Sequence, residues 1–347
     1  MWQAKAPPNF LYTISARVIV SGWVDPSGEG RVTKRAFTFP GQGSQAVGMG
    51  KELADAFPEA RAVFDEVDEA LGQKLSTLMF EGPDDTLRLT ENAQPALMAV
   101  SMAVVRVLES KGVTLKDVAD YVAGHSLGEY SALCAAGTFT LADAAQLLRT
   151  RGLAMQQAVP VGHGAMAALL GLDLATAQEV ADAAAQGEVC DLANDNAPGQ
   201  VVISGAVGAI ERAVEIAKTK GAKRAMLLPV SAPFHCSLMA PAASVMAEAL
   251  AAVDMKAPVV PVVSNVIARP LLDPAEIAER LVEQVTGRVR WTESVAWLTG
   301  EGGVTQLYEL GTGKVLTGLA KRINADASAT ALNTPADIDA FVASLNA

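Results

Sequence analysis

The motif GHSLG at residues 124–128 constrains the fold and chemistry of this chain more than any other stretch. A short apolar run, residues 120–123, precedes it and predicts a strand, and residues 129–137 predict a helix that ends at a glycine. A serine at the tip of such a turn needs glycine two positions to either side, because the turn leaves no room for side chains there. The N–H groups that open the helix face the same point. Ser126 is therefore a candidate nucleophile, and the N–H of Leu127 is a candidate donor to a developing oxyanion.

Charge and composition argue against several classes of protein. The formal net charge of -11 and the pI near 4.8 disfavour nucleic acid as a partner, because phosphate binding needs a dominant basic face. The longest apolar runs, such as residues 95–100, are far shorter than the roughly 18 residues that span a membrane. The odd number of widely spaced cysteines favours reduced thiols in a cytoplasmic protein and disfavours a metal site. These cysteines are Cys134, Cys190 and Cys236.

The chain alternates between predicted strands and helices from residue 35 onward, which is typical of an α/β fold. Residues 1–34 show no such periodicity, and we expect them to form a disordered N-terminal extension. Between residues 161 and 231 the predicted order is strand-helix-strand-strand-helix-strand, the order of a ferredoxin-like module. We therefore expect a large α/β catalytic domain at residues 35–160 and 232–347, interrupted by a ferredoxin-like inserted domain at residues 161–231. Within the insert, residues 194–199 are predicted to form a loop between two strands.

A charged residue interrupts an apolar face of the helix predicted for residues 141–158. Arg151 shares one helical stripe with apolar residues at spacings of three and four, whereas Arg149 lies on another face. A guanidinium in apolar surroundings is unfavourable unless an anion or several acceptors meet it. Arg151 is therefore a candidate anion-binding residue. The alternatives are a side chain that extends past the core to solvent and a pair with an internal carboxylate. The apolar members of the stripe are Leu141, Ala144, Leu148 and Met155.

A serine nucleophile needs a base, and the chain contains three histidines. His125 adjoins Ser126, so its side chain leaves the turn in another direction. His163 stands between glycines at the entrance to the insert. His235 follows a predicted strand on a loop, where a rigid scaffold can hold it over Ser126. We therefore favour His235 as the base, and a role as an ordinary core residue is the alternative.

Five motifs follow one another in a characteristic order along the chain. They are FPGQGSQ at residues 39–45, GHSLGEY at 124–130, Arg151-Gly152, NAPGQ at 196–200 and Phe234-His235. In this order they resemble malonyl-CoA:acyl-carrier-protein transacylases, over about residues 35–345. The resemblance implies an α/β-hydrolase-like large domain with the ferredoxin-like small domain inserted in it. The first 34 residues depart from the pattern, since members of this family usually begin close to the strand at residue 35.

The resemblance also assigns roles to individual residues. It implies that Ser126 carries the acyl group, that His235 is the base, and that the backbone N–H groups of Gln42 and Leu127 form the oxyanion hole. Arg151 would hold the free carboxylate of the malonyl group, which would account for a cation on an apolar stripe. Further supporting residues would be Gln284 near the active-site histidine, Asn194 or Asn196 near the thioester, and Phe234 beside the base.

The implied reaction transfers the malonyl group from malonyl-CoA to the phosphopantetheine thiol of acyl carrier protein, for fatty acid synthesis, and needs no cofactor. A trans-acting acyltransferase of polyketide synthesis is one alternative. A serine thioesterase is another, but it would need no cation such as Arg151 in its acyl pocket. A noncatalytic carrier-binding scaffold is a third, and the presence of both Ser126 and His235 argues against it. Because carrier proteins are acidic, the cations of two basic clusters are candidate contacts. They are Lys218, Lys220, Lys223, Arg224, Lys321 and Arg322.

Overall fold

The computed structural model of the chain describes residues 33–345. The extension expected at residues 1–34 lies outside the described residues except for its last two, and Lys34 already begins the first strand. The described chain contains two β-sheets, one of six strands and one of four. The strands are β1 Lys34–Phe39, β2 Tyr121–Gly124, β3 Gly164–Leu170, β4 Cys190–Ala197, β5 Gln200–Ala206, β6 Arg224–Leu227, β7 Val262–Val263, β8 Pro270–Leu271, β9 Val304–Leu310 and β10 Ser328–Leu332.

The six-stranded sheet has the order β10-β9-β1-β2-β7-β8. Neighbouring strands run parallel, except that β8 runs antiparallel to β7 at the edge. Parallel strands are usually covered on both faces, and residues 36–39 of β1 and 122–124 of β2 are accordingly all buried. The last residue of β2, Gly124, pairs with Phe39 at the end of β1. The loops after β1 and β2 therefore leave the sheet side by side, at the edge where ligands usually bind in parallel sheets.

Helices cover both faces of this sheet. Phe37 and Val122 belong to one apolar core, whereas Ala36 and Ala123, which point the other way, belong to a second. The α-helices are α1 Lys51–Ala56, α2 Pro58–Leu71, α3 Leu75–Glu81, α4 Asp84–Leu87, α5 Thr90–Ser110, α6 Leu115–Val118, α7 Leu127–Ala135, α8 Leu141–Ala158, α9 Leu174–Ala185, α10 Val207–Thr219, α11 Ala240–Ala251, α12 Pro274–Thr286, α13 Trp291–Thr299, α14 Val315–Ile323 and α15 Pro335–Leu345. A 3-10 turn, Ser237–Met239, precedes α11. The helix α5 is buried on nearly all sides, because it packs against α2, α7 and α8. None of the described helices is long and apolar enough to span a membrane.

The four-stranded sheet has the order β4-β5-β3-β6, and all of its neighbouring strands run antiparallel. Its elements follow the chain as β3, α9, β4, β5, α10 and β6, which is the strand and helix order that the sequence predicts for this part. The two helices pack against each other and against the strands. Together they enclose an apolar core separate from those of the six-stranded sheet.

β4 is longer than the sequence predicts. It runs through Ala197, so the predicted loop at residues 194–199 is wrong except for residues 198 and 199, which form the turn to β5. Asparagine and aspartate are uncommon in strands, but backbone bonds hold β4 on both sides. It pairs with β5 through two irregular steps, and the N–H of Asp195 donates to the carbonyl oxygen of Val289 at 2.9 Å. β7, which lies next to β2 in the sheet, has only two residues.

Candidate active site

The serine turn lies between β2 and α7, as the sequence predicts. Ser126 has a φ of 55° and a ψ of -111°, a conformation that residues with side chains rarely adopt. A Cβ atom on Gly124 would lie 1.9 Å from the main-chain carbonyl carbon of Gly128. A Cβ atom on Gly128 would lie 2.2 Å from the carbonyl oxygen of Phe39. Close backbone approach therefore requires both glycines of the motif.

The structure brings His235 to the serine from 109 residues away. Its Nε2 lies 2.7 Å from Ser126 Oγ, and its Nδ1 lies 2.9 Å from the carbonyl oxygen of Gln284 and 3.1 Å from that of Gly287. Because carbonyl oxygens only accept, Nδ1 carries the hydrogen and Nε2 is free to accept from the serine hydroxyl. Like Ser126, His235 has a positive φ, at 57°. Two backbone carbonyls thus orient this histidine, where a carboxylate does so in many serine enzymes.

His235 is held in its neutral form. The side chain is 3% exposed, and burial, followed by the charge of Arg151, lowers its pKa to about 3. A general base must be unprotonated to accept a proton, so this shift keeps the imidazole in the form that can act on Ser126.

Arg151 extends from α8 into the same site and is 2% exposed. Its Nη1 donates to Gln94 Oε1 at 2.8 Å, and its Nη2 donates to Gln284 Oε1 at 2.9 Å and to Ser126 Oγ at 3.1 Å. The guanidinium also lies 5.6 Å from the ring centre of Tyr130. Within residues 33–345 these hydrogen-bond partners are all neutral, and Nε has no partner. A buried cation with spare donor capacity beside a nucleophile is a preformed site for an anionic group.

Gln284 on α12 connects His235, Ser126 and Arg151. Its carbonyl oxygens are already engaged, the main-chain one by His235 and the side-chain one by Arg151. Its Nε2 donates to the carbonyl oxygen of Ser126 at 3.0 Å and to Oε2 of Glu129 at 2.7 Å. The side chain is fully buried, which explains why every polar atom of the amide has a partner.

Three buried residues of the site are not predicted by the sequence patterns. Gln94 holds Arg151, Glu129 accepts from Gln284, and Asn265 contacts the backbone of the serine turn. Gln94 does carry a signal, since it is an amide immediately before a long apolar run, residues 95–100. Burial raises the pKa of Glu129 to about 7. Asn265 gives no periodic signal, because its partner Ser126 lies 139 residues away.

A cavity of about 610 Å³ opens over the serine, within the size range of small-molecule sites. The structure brings most of the predicted site residues to its wall. They are Gln42, Ser126, Leu127, Arg151, Asn194, Phe234 and His235. The N–H of Leu127 opens α7 and so has no partner within that helix. The loop that carries Gln42 touches the serine turn, since a Cβ atom on Gly41 would lie 2.7 Å from the carbonyl oxygen of His125.

Asn196 does not belong to the wall of this cavity. Its Oδ1 lies 2.8 Å from Nε2 of His125, whose ring packs on Trp291. The expectation that Asn194 or Asn196 lies near the thioester stays a prediction. Of the two, Asn194 lines the cavity, whereas Asn196 bonds His125, which is itself on the cavity wall. Residues 33–345 contain no group of three or more His, Cys, Asp or Glu that could hold a metal ion.

The candidate carrier-binding cations fall into two groups. Lys218 pairs with Glu215 and Lys220 with Glu179, while Arg322 donates to Gln200 Oε1 and to the carbonyl oxygen of Pro198. The other three are exposed and have no ion-pair partner among the described residues. They are Lys223, Arg224 and Lys321.

A family model described as "Acyl transferase domain" matches residues 36–303. The fold and the site therefore belong to the class of acyl transferases.

Relatives narrow this class. The malonyl CoA-acyl carrier protein transacylase of Bacillus subtilis (strain 168) is 49% identical over 315 residues, which are 90% of this chain and 98% of that protein. The crystal structure of an acyl-carrier-protein-S-malonyltransferase from Bartonella henselae has a TM-score of 0.89 and 57% identity, and covers 91% of this chain and 100% of that chain. A malonyl-transacylase in complex with a type II PKS acyl-carrier protein has a TM-score of 0.87 and 44% identity, over 90% of this chain and 100% of that chain. This chain belongs to the family of malonyl CoA-acyl carrier protein transacylases.

Proposed function

We propose that this chain transfers the malonyl group from malonyl-CoA to the phosphopantetheine thiol of acyl carrier protein, through a malonyl ester on Ser126, and so supplies fatty acid synthesis. The observation that carries the proposal is the buried guanidinium of Arg151, which lies 3.1 Å from the serine hydroxyl and whose hydrogen-bond partners in the described part of the chain are all neutral. An acyl group that ends in a carboxylate would complete this site. The names of the similar proteins support the same substrate and acceptor.

The reaction proceeds in two symmetrical halves. His235 Nε2 accepts the proton of Ser126 Oγ as the oxygen attacks the thioester carbonyl of malonyl-CoA. The N–H groups of Gln42 and Leu127 stabilise the tetrahedral oxyanion, and His235 returns the proton to the departing thiolate of coenzyme A. The phosphopantetheine thiol then gives its proton to His235 and attacks the malonyl ester, and Ser126 leaves with that proton. Each step uses a side chain or a backbone group, so the reaction needs no cofactor.

Two features favour transfer over hydrolysis, the activity of a serine thioesterase. Arg151 selects an acyl group that carries a negative charge, whereas a general thioesterase needs no cation in its acyl pocket. His235 is oriented by the carbonyl oxygens of Gln284 and Gly287, whereas the esterases usually place an acidic residue there. A polyketide carrier is the alternative acceptor, and the similar structure with a type II PKS acyl-carrier protein favours testing it.

We also infer a finer description of the fold. The six-stranded part, residues 35–160 and the described residues from 232 onward, is an α/β-hydrolase-like domain, in which the nucleophile follows a central parallel strand. The four-stranded part, residues 161–231, is a ferredoxin-like insert. Its strands are numbered 2-3-1-4 across the sheet when counted from β3, and two helices join them, which supports this assignment.

The acidic carrier protein meets exposed cations on an otherwise acidic enzyme. Lys223, Arg224 and Lys321 are the candidates with free side chains within the described chain. A cationic surface speeds the encounter with an acidic partner and makes it sensitive to salt.

Intact-protein mass spectrometry tests the proposed function. After mixing with malonyl-CoA, the protein is expected to gain one malonyl group on Ser126, because its hydroxyl lies within hydrogen-bond distance of both His235 and Arg151. Added phosphopantetheinylated carrier protein is expected to remove the adduct and to gain the same mass. Ser126→Ala should carry no adduct, and Ser131→Ala, which alters a buried serine of α7, is the matched control. An adduct that survives in Ser126→Ala would refute the assignment.

Phe234 is expected to set the preference for malonyl over methylmalonyl groups. Its ring is 8% exposed and lies on the cavity wall beside the base, where it would crowd an α-methyl group. Discrimination of one methyl group by an apolar pocket is worth about 10-fold to 200-fold. We expect Phe234→Ser to narrow the ratio of kcat/KM values for the two substrates, mainly through faster methylmalonyl transfer. Equal use of both substrates by the unaltered protein would remove the basis for this role.

A further inference from the structure

The side chain of Asn265 replaces two backbone groups at the end of the central strand pair. Its Oδ1 accepts from the N–H of Ser126 at 2.7 Å, and its Nδ2 donates to the carbonyl oxygen of Gly124 at 2.6 Å. The amide orientation follows from its partners, because a backbone N–H only donates and a carbonyl oxygen only accepts. One side chain therefore bonds two backbone groups of the serine turn, the carbonyl of Gly124 and the N–H of Ser126.

The register of the sheet shows which backbone hydrogen bonds this side-chain amide replaces. In the parallel pair of β2 and β7, the N–H of Val122 donates to the carbonyl oxygen of Pro261 at 3.0 Å. Four residues further along each strand, the same bond would join Ser126 to the carbonyl oxygen of residue 265. The chain leaves the strand before that point, and the main-chain carbonyl of Asn265 accepts from Arg290 N–H at 2.9 Å. The side-chain amide, which has the donor and acceptor of a peptide group, continues the ladder in its place.

Asn265 is itself fixed firmly. It is fully buried, and its main-chain N–H donates to Oε2 of Glu129 at 3.2 Å. The main-chain groups therefore hold the residue, while the side chain holds the serine turn. An aspartate would face the carbonyl of Gly124 with a second acceptor, and a leucine of similar size would offer neither bond.

Such support matters because the backbone of Ser126 is strained. A residue held in a sparsely populated region of φ and ψ needs surroundings that over-determine its conformation. That conformation sets the direction of Oγ towards His235 and of the next N–H, on Leu127, towards the oxyanion. A turn that relaxed would move both groups away from the thioester carbon at once.

We propose that Asn265 is a positioning residue, whose side-chain amide holds the serine turn in the strained conformation that presents Ser126 to His235. The inference rests on the proposed role of Ser126 as nucleophile. It predicts a larger loss of nucleophilic reactivity than of substrate binding. Asn265 bonds the serine turn directly, whereas it reaches Arg151 only through Gln284, whose Nε2 donates to Asn265 Oδ1 at a long 3.4 Å.

The test measures the reactivity of Ser126 with a probe that has no carboxylate, coenzyme A or carrier protein. Phenylmethylsulfonyl fluoride sulfonylates a serine, as Oγ bonds to sulfur, fluoride leaves and the base takes the proton. We expect Asn265→Leu to lower the rate constant of this inactivation, and kcat for malonyl transfer, by about 100-fold each, the effect of misplacing a reacting group by about 1 Å. The KM for malonyl-CoA is expected to change much less.

Asn92→Leu is the matched control. Asn92 is also a buried asparagine, 5% exposed, whose side chain donates to the carbonyl oxygen of Thr86 at 2.9 Å. It makes no bond to the serine turn, so its replacement is expected to lower the melting temperature without changing the inactivation rate. An equal fall in that rate for both variants would show that general destabilisation, rather than positioning, is responsible.

Asn265→Asp decides the question if Asn265→Leu does not fold. It keeps an acceptor for Ser126 N–H but replaces the donor to Gly124 with a second acceptor. Its inactivation rate constant is therefore expected to fall below that of the unaltered protein but to remain measurable. Rates within about twofold of the unaltered protein in a folded variant would overturn the proposal, since misplacement of a reacting group costs far more. If the unaltered protein reacts with the sulfonyl fluoride but transfers no malonyl group, the proposed function fails while the inference on Asn265 is still tested.

Discussion

We expect His235→Ala to lower kcat/KM for malonyl transfer by about 10²-fold to 10⁴-fold, the usual contribution of a positioned general base. The variant removes the acceptor that lies 2.7 Å from Ser126 Oγ, while Arg151 still donates to that oxygen. The serine would then have to lose its proton to water as it attacks. Steady-state kinetics with malonyl-CoA and carrier protein measure the effect, and circular dichroism checks the fold.

His163→Ala is the control for the loss of a histidine. His163 is exposed at the start of the four-stranded part and lines no part of the serine cavity. Its replacement should leave the transfer rate unchanged. A fall of similar size in both variants, or a fully active His235→Ala, would contradict the assignment of the base.

The pH dependence of the unaltered protein follows from the same residue. The base acts when unprotonated, so its contribution is present above its pKa and is lost as the pH falls through that value. With a pKa of about 3, His235 should produce no acidic limb near its ordinary value of 6.5 in the profile of kcat/KM. Glu129, whose pKa burial raises to about 7, can produce a limb near neutrality. A limb near 6.5 that persists in Glu129→Gln would contradict the low pKa of His235.

The sequence predicts those parts of the site that depend on local geometry. A strand that turns this sharply into a helix needs glycine at 124 and 128, so the candidate nucleophile Ser126 can be located from five residues. Arg151 can likewise be identified from the sequence, because helical spacing places it on an apolar stripe. Burial of a cation there is unfavourable unless an anion or several acceptors meet it. The alternation of strands and helices gives the order of the elements in the same way.

The residues that complete the site are fixed by the tertiary fold instead. Asn265 meets Ser126 only because β7 lies next to β2 in the sheet, an order that the chain sequence does not specify. The carbonyl oxygens of Gln284 and Gly287, which orient His235, belong to the backbone, so the residue types at these positions do not predict the contacts. β4 was predicted too short for a related reason, since its polar residues are held by pairing on both sides rather than by their own preferences.

Replacing Arg151 with alanine is expected to separate malonyl transfer from acyl transfer in general. A carboxylate held by two parallel hydrogen bonds in a partly dry site gains both affinity and orientation. Removing one partner of such a pair costs about 2 to 5 kcal/mol, or roughly 30-fold to several thousand-fold in kcat/KM. Arg151→Ala should therefore lose malonyl transfer heavily. Acetyl-CoA has no carboxylate to lose and should be used as well as before or better.

The measurement is kcat/KM for malonyl-CoA and for acetyl-CoA in the unaltered protein and each variant. Arg151→Lys is expected to rescue malonyl transfer only in part, because an ammonium cannot reproduce the planar fork that bonds Gln94 and Gln284 together. Arg149→Ala is the matched control, since it removes a half-buried arginine two residues away on the same helix but outside the cavity. It should leave both substrates unaffected.

The ratio of kcat/KM for malonyl-CoA to kcat/KM for acetyl-CoA distinguishes carboxylate recognition from a structural role, which neither rate does alone. Arg151 also donates to Ser126 Oγ, so its loss can shift the nucleophile and slow both reactions together. A structural role of this kind predicts a parallel fall for malonyl-CoA and acetyl-CoA. Recognition of the carboxylate predicts that the malonyl to acetyl ratio collapses while the acetyl rate survives. An unchanged ratio in a folded Arg151→Ala variant would therefore show that Arg151 positions Ser126 and does not determine malonyl selectivity.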